Sequence, residues 1–354
     1  MHTAAHPDPD RPDPDHPDQG HVVLADIGGL IAAIPSLLGF RPEASLIAVA
    51  LRSDGIIGPI ARIDLAPPSL YSGLVAGLIR PLYQVDVRTA VLFIVCDQPG
   101  PRHEDLMRRA VAALAQITVP VWHAIEMPST AAGVRWRCHL HDDCEGEVPD
   151  SATSEIAAAM ALSGVVTFDR REDMARLLEP PDINRTIRLG KLLDTAIRSD
   201  RTTSAEQLAF LRDAIAADTL PTTDEEFVRF AMALSDYRVR DVCLRYALDT
   251  NVAPAAERLW LELTRCLPPP ERAEAAVLLG VSAYVRGDGA MANIAVEEAW
   301  SVQPGHSLAG LLYRVISYGL PVEQVRQVLS DAAVDAQIDI EGDRDSAEAS
   351  DMSP

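Results

Sequence analysis

The chain has 354 residues, 48% of them hydrophobic and 5% aromatic, which is the composition of a folded protein large enough for two domains. Its formal net charge is -21; residues 1–21 carry -4 and residues 331–354 carry -7, leaving -10 between them. An acidic middle of this kind excludes nonspecific binding to nucleic acid, which needs a basic face, and to anionic membranes.

The opening stretch, "MHTAAHPDPDRPDPDHPDQG", alternates Asp with Pro and cannot bury apolar surface, so residues 1–21 are expected to be a disordered tail. It lacks a charged start followed by an apolar run, so no secretory signal is read here. No apolar run is long enough for a membrane span. With five cysteines spread through the chain, these features point to a reduced, cytoplasmic protein.

Asp26 is a suitable N-cap for a helix over Ile27–Ile34, which Pro35 is expected to end. Gly39 suits a left-handed cap, and Pro42 pre-sets the following turn. Strands are expected at 45–51 and 56–65, as a hairpin around Ser53-Asp54-Gly55, then at 89–96, 119–127 and 133–138. The run "TAVLFIVC" is apolar throughout, as in a strand covered on both faces. Helices are expected at 70–84, bent or ended by Pro81, and at 103–117. Strands alternating with helices make 22–150 a layered α/β domain with a mixed sheet.

Beyond 150 the period becomes helical. Helices are expected at 151–163, 170–179, 182–199, 203–217, 223–235, 238–249, 254–267, 270–286, 288–301, 306–318 and 322–332, making 151–332 an all-α domain. Within it, "AYVRGDGAMANIAVEEAWSVQPGHSLAGLL" places Gly-Asp at an inter-helix turn and small residues along the next helix, like a tetratricopeptide hairpin. Eight acids against one Arg over 331–354 make 333–354 read as a second disordered tail.

Two groups of residues could carry chemistry. Arg62 and Asp64 lie two apart on one strand and so share a sheet face, with Arg41, Glu43 and Ser45 arriving from the adjoining turn. Such a cluster could form an anion or amide pocket, or could be an Arg–carboxylate pair that fixes the turn. In "CHLHDDC", Cys138, His141 and Cys144 could hold zinc with a fourth ligand from elsewhere. The same loop could be plain surface, or its cysteines a disulfide or redox pair. Dinucleotide, phosphate-loop, nucleophile-elbow and zincin motifs are missing.

Four separated stretches resemble one family in order: "AIPSLLGFRPEASLIAVAL" followed by "ARIDL", "VRWRCHLHDDCEGEVPD", "SEIAAAMALSGVVTFDRREDM", and the helical hairpin above. The family is bacterial, frequent in actinobacteria, and catalogued as domain-of-unknown-function family 4192. The resemblance spans roughly residues 24–330 and implies an order of elements rather than a reaction. Trp136, in its Arg-Trp segment, joins Arg41, Glu43, Ser45, Arg62 and Asp64 as a ligand-binding candidate. The reading that follows is a non-catalytic interaction or adaptor protein with a protein partner and no required cofactor. The alternative is a hydrolase-like enzyme for a small metabolite, with its site near Arg41, Glu43, Arg62 and Asp64.

Overall fold

A computed structural model describes residues 27–351, apart from 54–55, 84–86, 99, 151–165 and 200. The 1–21 tail, Asp26, the tip of the first hairpin and the helix expected at 151–163 lie outside the described residues.

Six strands, β1 (Ser45–Arg52), β2 (Ile57–Asp64), β3 (Val87–Val95), β4 (Val121–Met127), β5 (Arg135–Cys138) and β6 (Glu145–Glu147), form one mixed sheet in the order β2-β1-β3-β4-β5-β6. Every neighbouring pair is antiparallel except β3 and β4, which run parallel and are linked through helix α3 (Pro101–Gln116). Strand alternation sorts the core into two layers. Leu46, Ala48 and Ala50 of β1, with Leu92 and Ile94 of β3, pack against α2 (Tyr71–Ile79) and α3. Ile47, Val49, Val91 and Phe93 point the other way, against α1 (Ile27–Leu38). β3 is therefore covered on both faces, which is why it is apolar at every position from Ala90 to Val95.

Two local expectations need correction. Helix α1 does not stop at Ile34; it continues through Pro35 to Leu38, where Gly39 closes it at φ 76°. The hydrogen bond that Pro35 cannot donate is outweighed by burial of Leu30, Ile31 and Ile34, each at most 1% exposed. The strand β6 was not expected at all. A Glu-Gly-Glu segment has no apolar alternation, and it forms because the hairpin register pairs it with β5, setting Gly146 under the Trp136 ring. A Cβ at Gly146 would lie 2.7 Å from the ring, so only glycine fits there.

The rest of the described chain is helical: α4 (Arg171–Ala175), α5 (Ile183–Ser199), α6 (Ser204–Ala216), α7 (Asp224–Ser235), α8 (Tyr237–Cys243), α9 (Ala253–Cys266), α10 (Arg272–Arg286), α11 (Gly289–Val302), α12 (Ser307–Tyr318) and α13 (Val322–Asp351). Their starts carry clear local reasons. Thr203 with Glu206 and Thr223 with Glu226 form capping boxes, and Asp288 caps α11. Gly287 closes α10 at φ 92°, and Gly280 inside α10 lets Leu312, Ala292 and Ala295 approach closely. The helix expected to end at 332 runs on to Asp351; Ala333 is buried and Ala336 and Ile340 join the helical core, so the described residues after 332 are not a tail. Its acidic composition hid a periodic apolar edge.

Two seams join the sheet region to the helices. Phe40 and Phe168 form a parallel bridge, with Arg41 N–H donating to the Phe168 carbonyl at 3.0 Å and Phe168 N–H to that of Gly39 at 2.8 Å. Elsewhere Gly319, at φ 58°, lies directly against Pro81, and Arg80 stacks on the Tyr318 ring.

Candidate metal centre

The turn between α1 and β1 comes first, because the sequence marks it. Ser45 is fully buried at the start of β1; its hydroxyl donates to the Glu43 carbonyl at 2.6 Å and accepts from Arg62 Nε at 2.9 Å. Arg62 Nη2 donates to Asp64 at 2.5 Å, and its guanidinium lies over the Phe40 ring. Arg41 and Glu43 do not join this group. They reach across to Asp169 and Arg170, at 3.7 and 3.8 Å, on exposed surface where ion pairs are worth little. Arg62 Nε and Nη2 thus hold the helix-to-strand turn against β2. Replacing Arg62 with Ala is expected to cost on the order of 1–2 kcal/mol, because Ser45 loses one partner and keeps another. Chemical denaturation checks this, and an unchanged midpoint would show that the guanidinium braces nothing.

Trp136 is likewise packed rather than presented. It is buried between Gly146 and the α1-side core. The strand that carries it divides two sets of side chains. Arg137 faces the same side as Glu126 of β4 and donates to that buried carboxylate at 2.7 and 3.0 Å, with His139 Nε2 3.2 Å away. Cys138 faces the opposite side, with Trp136, Ile125 and Met127.

On that side three ligand-type atoms meet. His123 of β4 places Nδ1 3.7 Å from Cys138 Sγ and 3.6 Å from Cys144 Sγ, and all three atoms lie within 4.8 Å of one another. The hairpin builds this approach: Cys138 N–H donates to the Cys144 carbonyl at 2.8 Å, so the two cysteines face each other just before the loop opens. Leu140 N–H also donates to Cys138 Sγ at 3.4 Å. A tetrahedral zinc with bonds of about 2.3 Å to sulfur and about 2.0 Å to nitrogen sets its N and S ligands about 3.6 Å apart. The observed spacings match those edges. Burial, and then the neighbouring His141, lowers the His123 pKa, which favours the uncharged imidazole that a metal needs. Burial, followed by Cys138, raises that of the Cys144 thiol, a bias that a bound cation would reverse.

His141, expected from its spacing to be a ligand beside the cysteines, stands at the edge of this group. Its Nε2 lies 3.1 Å from the Trp122 carbonyl, which can only accept, so Nε2 is the donor of this pair. Its ring meets that of His123 edge-on, with centroids 5.2 Å apart. His123 is the member that sequence reading did not find. Its only signal was its parity with Ile125 and Met127 on β4, and this means nothing until β5 is known to be the neighbouring strand.

Fold and site together define a mixed-sheet α/β region joined to a helical one, with a thiol–imidazole cluster at one end of the sheet. Residues 28–323 match the family described as "Domain of unknown function (DUF4192)", and the chain belongs to that family. No curated protein and no solved structure matches it.

Proposed function

We propose that the protein is a zinc-binding protein, with His123, Cys138 and Cys144 as ligands and His141 as the fourth. The observation that carries this reading is the pair of N–S spacings, 3.6 and 3.7 Å, from one imidazole nitrogen to two thiols. His141 supports it in two ways. A histidine that donates one N–H to a backbone carbonyl presents the other nitrogen as a ligand, which is the usual arrangement around bound metal. Two imidazoles on one tetrahedral zinc also set their ring centroids about 5 Å apart, near the 5.2 Å seen. A closed set of two thiolates and two imidazoles is that of a structural site. The ion would staple the short β5–β6 hairpin, which has a single strand neighbour, to β4.

Protein produced with zinc and then dialysed should hold close to one zinc per chain by elemental analysis. Cys144→Ser or His123→Ala should each lower metal affinity by 10-fold or more, and a strong chelator should lower the melting temperature of the native protein alone. Less than a tenth of an equivalent of zinc in the native chain would overturn the reading. The interaction role expected from sequence is compatible with such a staple, and the isoleucines that α5 leaves exposed support it. The enzyme alternative draws no support from the Arg62 group, whose Nε and Nη2 already hold Ser45 and Asp64.

A further inference from the structure

Two helices of the helical region leave apolar strips in solvent, and the strips carry opposite charge. On α5, Ile183, Ile187 and Ile197 are each more than half exposed and share one side of the helix. Lys191 and Arg198 stand along one edge of this strip, Asp194 lies within it, and Arg185 and Arg188 lie toward the other side of the helix. Asp224 already holds Arg185 and Arg188, at 2.9 and 2.5 Å. Among the described residues Lys191 and Arg198 have no acidic partner. This basic surface stands on a chain of net charge -21.

On α13 the pattern inverts. Val325, Leu329, Ala333, Ala336 and Ile340 are buried, which fixes the rotation of the helix. Val334 and Ile338, one turn apart, then fall on the opposite side and are each more than half exposed. Asp331, Asp335, Asp339 and Glu341 ring them. Asp331 and Glu341 accept hydrogen bonds from Gln327 and Gln337, whereas Asp335 and Asp339 have no basic partner among the described residues.

We infer that the protein self-associates, with the acidic Val334–Ile338 strip of α13 on one copy packing against the basic isoleucine strip of α5 on another. Each strip alone is an unpartnered helix face. Together they are complementary in both respects that matter: aliphatic side chains at helical spacing, and unpaired charge of opposite sign beside them, Lys191 and Arg198 along one edge of the α5 strip and Asp335 and Asp339 beside the α13 strip. Two chains of the same strong net charge repel at a distance, so the contact must be short-ranged. Salt near 0.1 M screens the long-range repulsion, with a Debye length of about 10 Å, while close pairs persist.

Sedimentation velocity on the full chain tests this across a wide concentration range. The native protein is expected to form a reversible dimer or higher assembly. Ile338→Ser, and the charge reversals Lys191→Glu with Arg198→Glu or Asp335→Lys with Asp339→Lys, should each weaken association at least tenfold and leave the circular dichroism unchanged. Mixing the two charge-reversed proteins is the decisive arm. One retains the native α13 and the other the native α5, so the mixture should regain a complex that neither forms alone. A native chain that stays monomeric, an assembly indifferent to both reversals, or a mixture that fails to associate would each overturn the inference; a monomer would leave these strips to some other protein.

Discussion

Ending the chain at Ala332 should lower its melting temperature by on the order of 10 °C, although the residues removed are mostly polar and include seven acids. The deleted part of α13 buries Ala336 and Ile340 in the core formed by the other helices, and Ala333 beside them is 3% exposed. A buried isoleucine contributes roughly 1.5–3 kcal/mol and each alanine methyl somewhat under 1 kcal/mol, so the loss is about 3–5 kcal/mol. The truncation also removes Asp343, the ion-pair partner of Arg238, which already shares the carboxylate of Asp236. Ile340→Ser in the full chain provides the control, and about half of the truncation's effect is expected from it. Thermal unfolding followed by near-ultraviolet circular dichroism reads both. A truncated chain that melts with the native one would mean that the second half of α13 contributes nothing to the fold.

This result bears on what a single sequence reveals. From Val325 onward the buried apolar residues of α13 recur at spacings of four, four, three and four, as they should along one side of a helix. The signal was present, but an excess of acid in the same stretch reads as a tail. Composition averages over positions and periodicity does not, so the two disagree wherever a helix buries a narrow apolar edge and wets everything else. Where the apolar positions were wide and continuous, as in β3, or the ends carried caps, as at Thr203, Thr223 and Gly287, element type and limits were legible to within a few residues. The unexpected elements follow another rule. β6 and the passage of α1 through Pro35 are dictated by neighbours distant in sequence, which no local pattern contains. The same limit applies to the thiol–imidazole group. The spacing of Cys138, His141 and Cys144 singled out the loop, whereas His123 required knowing that β5 lies beside β4. The Arg62 group was legible as a cluster, but its use was not, because that depended on where Ser45 and Phe40 would sit.

The largest effect of a single substitution is expected at Glu274 on α10. Its Oε2 accepts from Arg240 of α8 at 2.8 Å and lies 3.1 Å from His306 Nε2. His306 itself caps α12: its Nδ1 accepts from Ala309 N–H at 3.2 Å, which leaves the ring proton on Nε2 and directs it to the carboxylate. One half-buried carboxylate therefore ties three helices together. Glu274→Ala strands a guanidinium and an imidazole that are 10% and 2% exposed, and breaking such a pair typically costs about 3–5 kcal/mol. Asp241, 2.7 Å from Arg240, still holds part of that charge, so the lower end of the range is expected. Glu274→Gln keeps the shape and an acceptor and should cost less. The pH dependence separates charge from packing. Burial alone would raise the Glu274 pKa, but hydrogen bonds from His306 and Arg240 outweigh it and hold the carboxyl below its ordinary 4.5. A depressed carboxylate binds its proton more weakly in the folded state than in the unfolded one. Its stabilisation is therefore complete above 4.5 and is lost as the pH falls through the lower, folded value. The native protein should lose stability across that window faster than Glu274→Gln does, and their denaturation curves should converge at low pH. Parallel curves at every pH would show that Glu274 acts through its shape alone.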